Sequence, residues 1–301
     1  MIRKLFLFVF VIDLLFHFSQ AEGMERLLID EIGRKVEILH SAKRIVSMAP
    51  SITEILFALG LNEELVGVTD FCDYPEAALA KPRIGGFVNP KIERIVSLKP
   101  DLILATRDGN RMETVHRIED LGFPIFVIDP KGFDGVMKTI KNIGEIVLRQ
   151  EESTKIVRDM MTRKENVARL TRPLSKPKVF FQMGYAPMMT VGKGSLADDL
   201  IRMAGGRSIS EDESMSYKLY SIETILSKAP EVIIVSSMEH KRDHSHFLKM
   251  WQKWKTIPAV KMNAVYLIDS NLVDRPSPRI VEGLETIVKM IHPEILGNPK
   301  N

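Results

Sequence analysis

The stretch ERIVSLKPDLIL at 93–104 returns, 130 residues later, as ETILSKAPEVII at 223–234. Each copy opens on a glutamate and reads as the last turns of a helix, a proline stop, an acidic residue and then a buried strand. Proline cannot continue a helix, and a short apolar run after such a stop is of strand length. A second pair follows in the same order: IFVIDP at 125–130 matches VYLIDS at 265–270, with 140 residues between the aspartates. Two related α/β lobes are the simplest account. Two independent units that look alike remain the alternative, because Ile, Val and Pro are common in such units.

The rest of the chain alternates in the same way. Strand-length apolar runs stand at 44–48 (RIVSM), 65–70 (LVGVTD), 101–106 (DLILAT) and 124–129 (PIFVID), with helical segments near 52–59, 90–98 and 111–121 between them. In the second half KVFFQM at 178–183, EVIIVSS and AVYLIDS are separated by helices through LADDLIRMAGG, SIETILSKAP and 246–254. Such alternation specifies mostly parallel sheets covered on both faces by helices. Ahead of it, RLLIDEIGRKVEIL at 26–39 holds two strand-like runs around an EIGR turn, where Gly33 supplies the positive φ of a hairpin.

Residues 133–172 contain no strand-like run. Phe133, Met137, Ile140, Gly144 and Val147 recur at helical steps, and a richly charged helical stretch follows at 150–171. A helix of that length spans roughly 33 Å at 1.5 Å per residue. Pro173 and Pro177 close it. The fold class expected is therefore α/β, with two similar lobes, central mostly parallel sheets and a long bridging helix. The expected segments are 1–21, a first lobe at 22–148, the bridging helix at 149–172 and a second lobe at 173–301. A stiff connector limits how far the lobes close, so small closure is expected.

Segment 1–21 has a basic start (Arg3, Lys4), an apolar run and small residues at Ser19 and Ala21. This is the layout of a secretory signal peptide cleaved near Ala21. Asp13 and His17 interrupt the run, which is too short for a spanning helix of ~20 apolar residues. No cysteine follows to carry a lipid anchor, so a soluble, periplasmic mature protein is expected. The remaining chain is long and apolar enough for two cores. Its 42 basic and 39 acidic residues nearly balance, and no basic stripe is present, which argues against a nucleic-acid partner. Cys72 is the one cysteine, so there is no internal disulfide, and it reads as a buried small hydrophobe, with a free thiol as the alternative.

Taken in order, the hairpin, RIVSMAPSITEILFALG, VGVTDFCDYP, RIGGFVNPKIERIVSLKPDLILAT, a connecting helix and RPSPRIVEGLETI resemble the substrate-binding proteins of ABC importers. The resemblance covers nearly all of the mature chain. It is to the subgroup with two lobes joined by a rigid helix, which serves cobalamin, ferric siderophores and haem. The APSITE, DYP and SPR segments look most like the periplasmic cobalamin-binding proteins. The resemblance implies a ligand cleft between the lobes and a monomeric receptor with no cofactor of its own. Its cargo would be a corrinoid such as cobalamin, or alternatively a ferric siderophore or haem. It further implies a permease dimer as partner, docked through one glutamate per lobe, Glu93 and Glu223, by salt bridges to permease arginines. A helix-start reading competes. Asn89-Pro90 looks like a cap followed by a first helical residue and Ser221 like another cap, and a carboxylate in a first turn is favoured by ~0.3–1 kcal/mol.

Open α/β folds bind ligands beyond the carboxyl ends of their strands. In the first lobe those loops carry Ser51, Phe71, Phe87 and Thr106, and Gly85-Gly86 permits close backbone approach, so Gly86 joins the set. In the second they carry Met183, Tyr185, Tyr217, Asn271 and Arg275. Aromatic and polar loop residues suit a large, flat, partly polar ligand. By the resemblance, Ser51, Phe71, Tyr217, Asn271 and Arg275 match positions that touch cobalamin. Where the best-known cobalamin binders place tryptophans, this chain has Thr106, Tyr217 and a Gly-Phe pair, while Trp251 and Trp254 lie on a helix. A structural alternative for Arg275 is pairing with Asp274 or Asp269.

Two other classes compete. His240, His244 and His246 could hold a divalent metal, since imidazole is a common metal ligand. The first lobe offers only His116 and His40, neither in a strand-end loop, so a charged surface loop is expected and no metal site is assigned. A secreted two-domain enzyme is the other class. The chain has no GxSxG, HExxH, P-loop or dinucleotide fingerprint. Asp70 and Asp73 flank a strand end, but nothing orients a substrate toward them, and no catalytic residue is assigned.

Overall fold

The computed structural model describes residues 26–38, 41–184, 188–214, 217–237 and 245–297. They form two compact units. The first takes the chain up to residue 49 with 61–128 and 146–148, and the second takes 50–60, 129–145 and everything from 149 onward.

The first unit opens with the expected hairpin, β1 (Arg26–Ile29) against β2 (Lys35–Ile38), antiparallel. Asp30 fixes its turn: Oδ1 accepts the N–H groups of Ile32 and Arg34, and the Arg34 guanidinium lies 2.8 Å from the carboxylate. Strands β3 (Ile45–Ser47), β4 (Leu65–Val68), β5 (Leu102–Thr106) and β6 (Ile125–Ile128) make a parallel sheet in the order β4-β3-β5-β6. Val46, Ile103, Ala105 and Val127 pack with Ile95 of the Ile92–Ser97 helix and with Val115 and Ile118 of the Met112–Asp120 helix.

The second unit holds β7 (Lys178–Met183), β8 (Met189–Val191), β9 (Arg207–Ser208), β10 (Tyr217–Leu219), β11 (Val232–Ser237) and β12 (Val265–Asp269). Their order is β10-β8-β7-β11-β12, with β9 beside β7. Strands β7, β11 and β12 run parallel, and β8 pairs antiparallel with both β7 and β10. Phe180, Ile225, Ile233, Val235, Phe247 and Trp251 form the core. The Trp251 indole N–H, which needs a partner once buried, donates to Gln182 Oε1 at 2.9 Å.

The sequence repeat continues into backbone and hydrogen bonds. The residue before each proline takes a positive φ, +45° at Lys99 and +48° at Ala229, ending its helix in the left-handed conformation. The acid after each proline then pins the neighbouring strand. Asp101 accepts the N–H groups of Lys43 and Arg44 at 2.8 and 2.9 Å, and Glu231 accepts that of Lys178 at 2.8 Å. Both acids return their own N–H to the same neighbour, Arg44 O and Lys178 O. β5 then lies between β3 and β6, and β11 between β7 and β12.

Two features differ from expectation. The Ile92–Ser97 helix starts at Ile92 with Lys91 in the cap position, not at Pro90. The Pro50–Ala58 helix, which leaves β3 of the first unit, belongs by its contacts to the second. The Gln150–Thr171 helix occupies its expected residues, and its richly charged sequence also carries a buried stripe, Ser153, Val157, Met160, Val167 and Thr171. It groups with the second unit, where Arg163 makes a two-pronged bond to Glu285 of the Ile280–Ile291 helix at 2.8 and 2.7 Å.

Candidate functional site

In the first unit the carboxyl ends of the strands meet at Asn110, a residue that the sequence did not single out. Its side chain is 3% exposed. Its Oδ1 accepts the N–H of Thr106 at 2.8 Å, and its Nδ2 donates to Met48 O at 3.1 Å and Phe87 O at 2.8 Å. Thr106 ends β5 and is itself buried, Met48 follows β3, and Phe87 belongs to the loop whose Gly85 carbonyl accepts from Asp70 N–H. The Asp70–Cys72 segment is held from beneath. Arg83 Nη1 donates to Thr69 O and Cys72 O, and Thr69 Oγ1 lies 3.1 Å from the buried Cys72 Sγ. Above this support Phe71 is 59% exposed, with Tyr74 exposed on the same loop and Val88 on a neighbouring one. Gly86 and Phe87 are half-buried. An apolar ring on a braced loop is suited to meeting a ligand face.

Ser51 is neither in a loop nor in the first unit. It lies buried in the first turn of the Pro50–Ala58 helix, one turn before Glu54. Glu54 is 3% exposed and gathers the 275–279 segment: Ser277 Oγ donates to Oε2 at 2.6 Å, Arg275 Nη1 donates to Oε1 at 3.0 Å, and Arg279 lies 3.7 Å away. Burial pushes the Glu54 carboxyl above its ordinary value, against the pull of the Ser277 and Arg275 hydrogen bonds and the two guanidinium charges. Arg275 thus finds a third carboxylate, Glu54, which sequence proximity did not offer.

The other residues expected in the second unit are spread over three strand ends. Met183 closes β7 half-buried, beside Gln182, whose Nε2 donates to Gly184 O at 2.9 Å. Tyr217 is not in a loop but on the edge strand β10, paired with Val191 and 56% exposed. Asn271 lies on a short helix, Ser270–Val273, where its N–H is accepted by Asp269 at 2.9 Å. Asp274, which the sequence offered only as a partner for Arg275, receives Ser236 Oγ at 3.0 Å. Burial pushes its carboxyl up to about 6, the Ser236 bond opposes this and the charge of Asp269 adds to it. Tyr185, His240 and His244, the His246 side chain and segment 1–21 lie outside the described residues.

Glu93 and Glu223 are both exposed, each at the second position of a first turn, but their surroundings differ. Ser221 is the foreseen cap, accepting Thr224 N–H at 3.3 Å, and a bond from Ser221 and the backbone N–H of Glu223 hold the Glu223 carboxyl below its ordinary value. The Ile92–Ser97 helix has no side-chain cap. Among the described residues no group of three His, Cys, Asp or Glu side chains could hold a metal ion, and no helix is long and apolar enough to cross a membrane.

The model of the periplasmic binding protein family matches residues 45–272, from β3 through the strand ends of the second unit. The chain belongs to this family. A curated relative, the vitamin B12-binding protein of Vibrio cholerae, is 31% identical over 82% of this chain and 88% of its own. The crystal structure of the periplasmic vitamin B12 binding protein of Vibrio cholerae superposes with a TM-score of 0.75 at 29% identity, covering 85% of this chain and 98% of that one. A periplasmic haem-binding protein from Roseiflexus sp. RS-1 shares the fold, with a TM-score of 0.75 at 24% identity over 84% and 99% of the two chains. As a family member the chain is a substrate-binding protein and not an enzyme.

Proposed function

We propose that this binding protein captures a corrinoid, cobalamin in the first instance, in the periplasm and delivers it to an ABC import permease. The observation that carries the reading is the 31% identity to vitamin B12-binding proteins over most of both chains. The exposed rings of Phe71 and Tyr217 support it, because a large flat ligand needs apolar faces rimmed by polar groups. In this reading the ligand is met by Ser51, Phe71, Gly86, Phe87, Thr106, Met183, Tyr185, Tyr217, Asn271 and Arg275. Glu93 and Glu223 meet permease arginines, and the protein acts as an exported monomer after loss of residues 1–21.

Isothermal titration of the chain lacking residues 1–21 with cyanocobalamin tests the ligand. One-to-one binding is expected, weakened in Phe71→Ala and Tyr217→Ala. Binding of haemin or a ferric siderophore instead would keep the receptor and replace the cargo. In vesicles carrying the cognate permease, Glu93→Ala together with Glu223→Ala is expected to abolish uptake while leaving cyanocobalamin affinity unchanged. Lost affinity would remove these acids from docking.

A further inference from the structure

Asn110 is buried, so it acts on its surroundings rather than on a ligand. Its amide joins three segments far apart in sequence, and it does so with both kinds of hydrogen-bonding atom. Oδ1 accepts from Thr106, and the NH2 group donates to carbonyls of Met48 and Phe87. Only a primary amide offers two donors and an acceptor in one plane at this reach. Aspartate would leave the two carbonyls without donors, and alanine would leave all three groups unmatched. The preceding residue completes the arrangement. Gly109 has φ +152°, and a Cβ placed there would overlap the Phe87 ring, so the ring lies directly on the Gly109 backbone. Asn110 therefore fixes the Phe87 backbone while Gly109 leaves room for its side chain.

We propose that Asn110 and Gly109 are positioning residues that hold the Phe87 ring as a preorganised ligand-facing wall of the first unit. The inference rests on the binding reading above for what the wall meets, and on the structure alone for how it is held. The benefit is entropic: a ring fixed before the ligand arrives need not be ordered when it binds.

The test combines a ligand-free and a ligand-bound measurement on the chain lacking residues 1–21. With ring-13C phenylalanine, the Phe87 signals, assigned through Phe87→Leu, are expected to move in both Gly109→Ala and Asn110→Ala. In titrations with cyanocobalamin each variant is expected to raise Kd about tenfold. Placed on a Phe87→Ala background, Gly109→Ala is expected to raise Kd by less than about twofold further, because its effect passes through the ring. A purely structural glycine would show its full effect on both backgrounds. Unmoved ring signals in both variants, or Kd changes that multiply in full on the Phe87→Ala background, would overturn the proposal. Should Asn110→Ala fail to fold, Gly109→Ala carries the comparison. If the parent protein does not bind cyanocobalamin, the corrinoid reading falls, and the ring signals alone decide whether the two residues position Phe87.

Discussion

Beyond β5 in the first unit the strand ends are tied by a neutral amide, Asn110, to Met48, Phe87 and Thr106. Beyond β11 and β12 in the second they are tied by carboxylates: Asp274 on Ser236, and Glu54 among Ser277, Arg275 and Arg279. The two units share a repeat down to the acid that pins the next strand, so the difference arises after that shared unit. A buried amide is satisfied by hydrogen bonds alone and does not titrate. A buried carboxylate also carries a desolvation cost that depends on its protonation. The amide tie of the first unit thus does not titrate, while the Asp274 tie of the second does.

The comparison breaks most readily at Glu54. Glu54→Ala leaves two guanidinium groups without their shared carboxylate, and removing one partner of a buried pair costs about 4 kcal/mol. Urea unfolding should show that loss, with Glu54→Gln in between. A cost below about 1 kcal/mol would mean that the cluster does not anchor the Pro50–Ala58 helix.

Asp274 sharpens the comparison through the sign of its pH dependence. Its folded value of about 6 lies above the ordinary 3.8. The protonated carboxyl is therefore the form the fold favours: its contribution is full below about pH 4 and is lost as pH rises through about 6. By pH 8 the ionised group costs the folded state up to about 3 kcal/mol. Asp274→Asn should accordingly stabilise the protein at pH 8 and change little at pH 4, whereas the effect of Asn110→Ala should be the same at pH 5 and pH 8. Equal effects of Asp274→Asn at both ends of the range would remove the pH coupling.

The smallest effect separates the two repeated glutamates. Ser221→Ala should cost about 1 kcal/mol and return the Glu223 carboxyl toward its ordinary value, read by NMR titration. Glu93, on a helix without a side-chain cap, offers no equivalent site for such a change.

The repeated units were legible because their signals are local. Pro100 and Pro230 stop helices wherever they stand, the apolar runs after them have strand length, and Ser221 caps the turn that follows it directly. The matching start at Asn89-Pro90 misled because the same local signal is overridden from outside. Gly85 bridges Pro90, and Lys91 N–H donates to Ile84 O at 2.7 Å, so Pro90 and the extended Lys91 stay out of the helix, which waits for Ile92. Tyr217 read as loop because a three-residue strand has no periodicity of its own, and only its pairing with β8 makes it one. Ser51 read as part of the first lobe because it follows β3, while the packing of its helix is decided by residues some 220 positions away, such as Ser277, 223 positions from Glu54.

By itself, the sequence determined the alternation of strand and helix, the duplication, the hairpin and the span of the Gln150–Thr171 helix. Each rests on backbone preferences and apolar spacing that act over a few residues. Tertiary structure alone decided that Asn110 bonds the Phe87 carbonyl and the Phe87 ring lies on Gly109, that Glu54 takes up Arg275 and that burial pushes the Asp274 carboxyl up to about 6. Those outcomes depend on which polar groups are excluded from water together, and no stretch of sequence records the partner that a buried group will find.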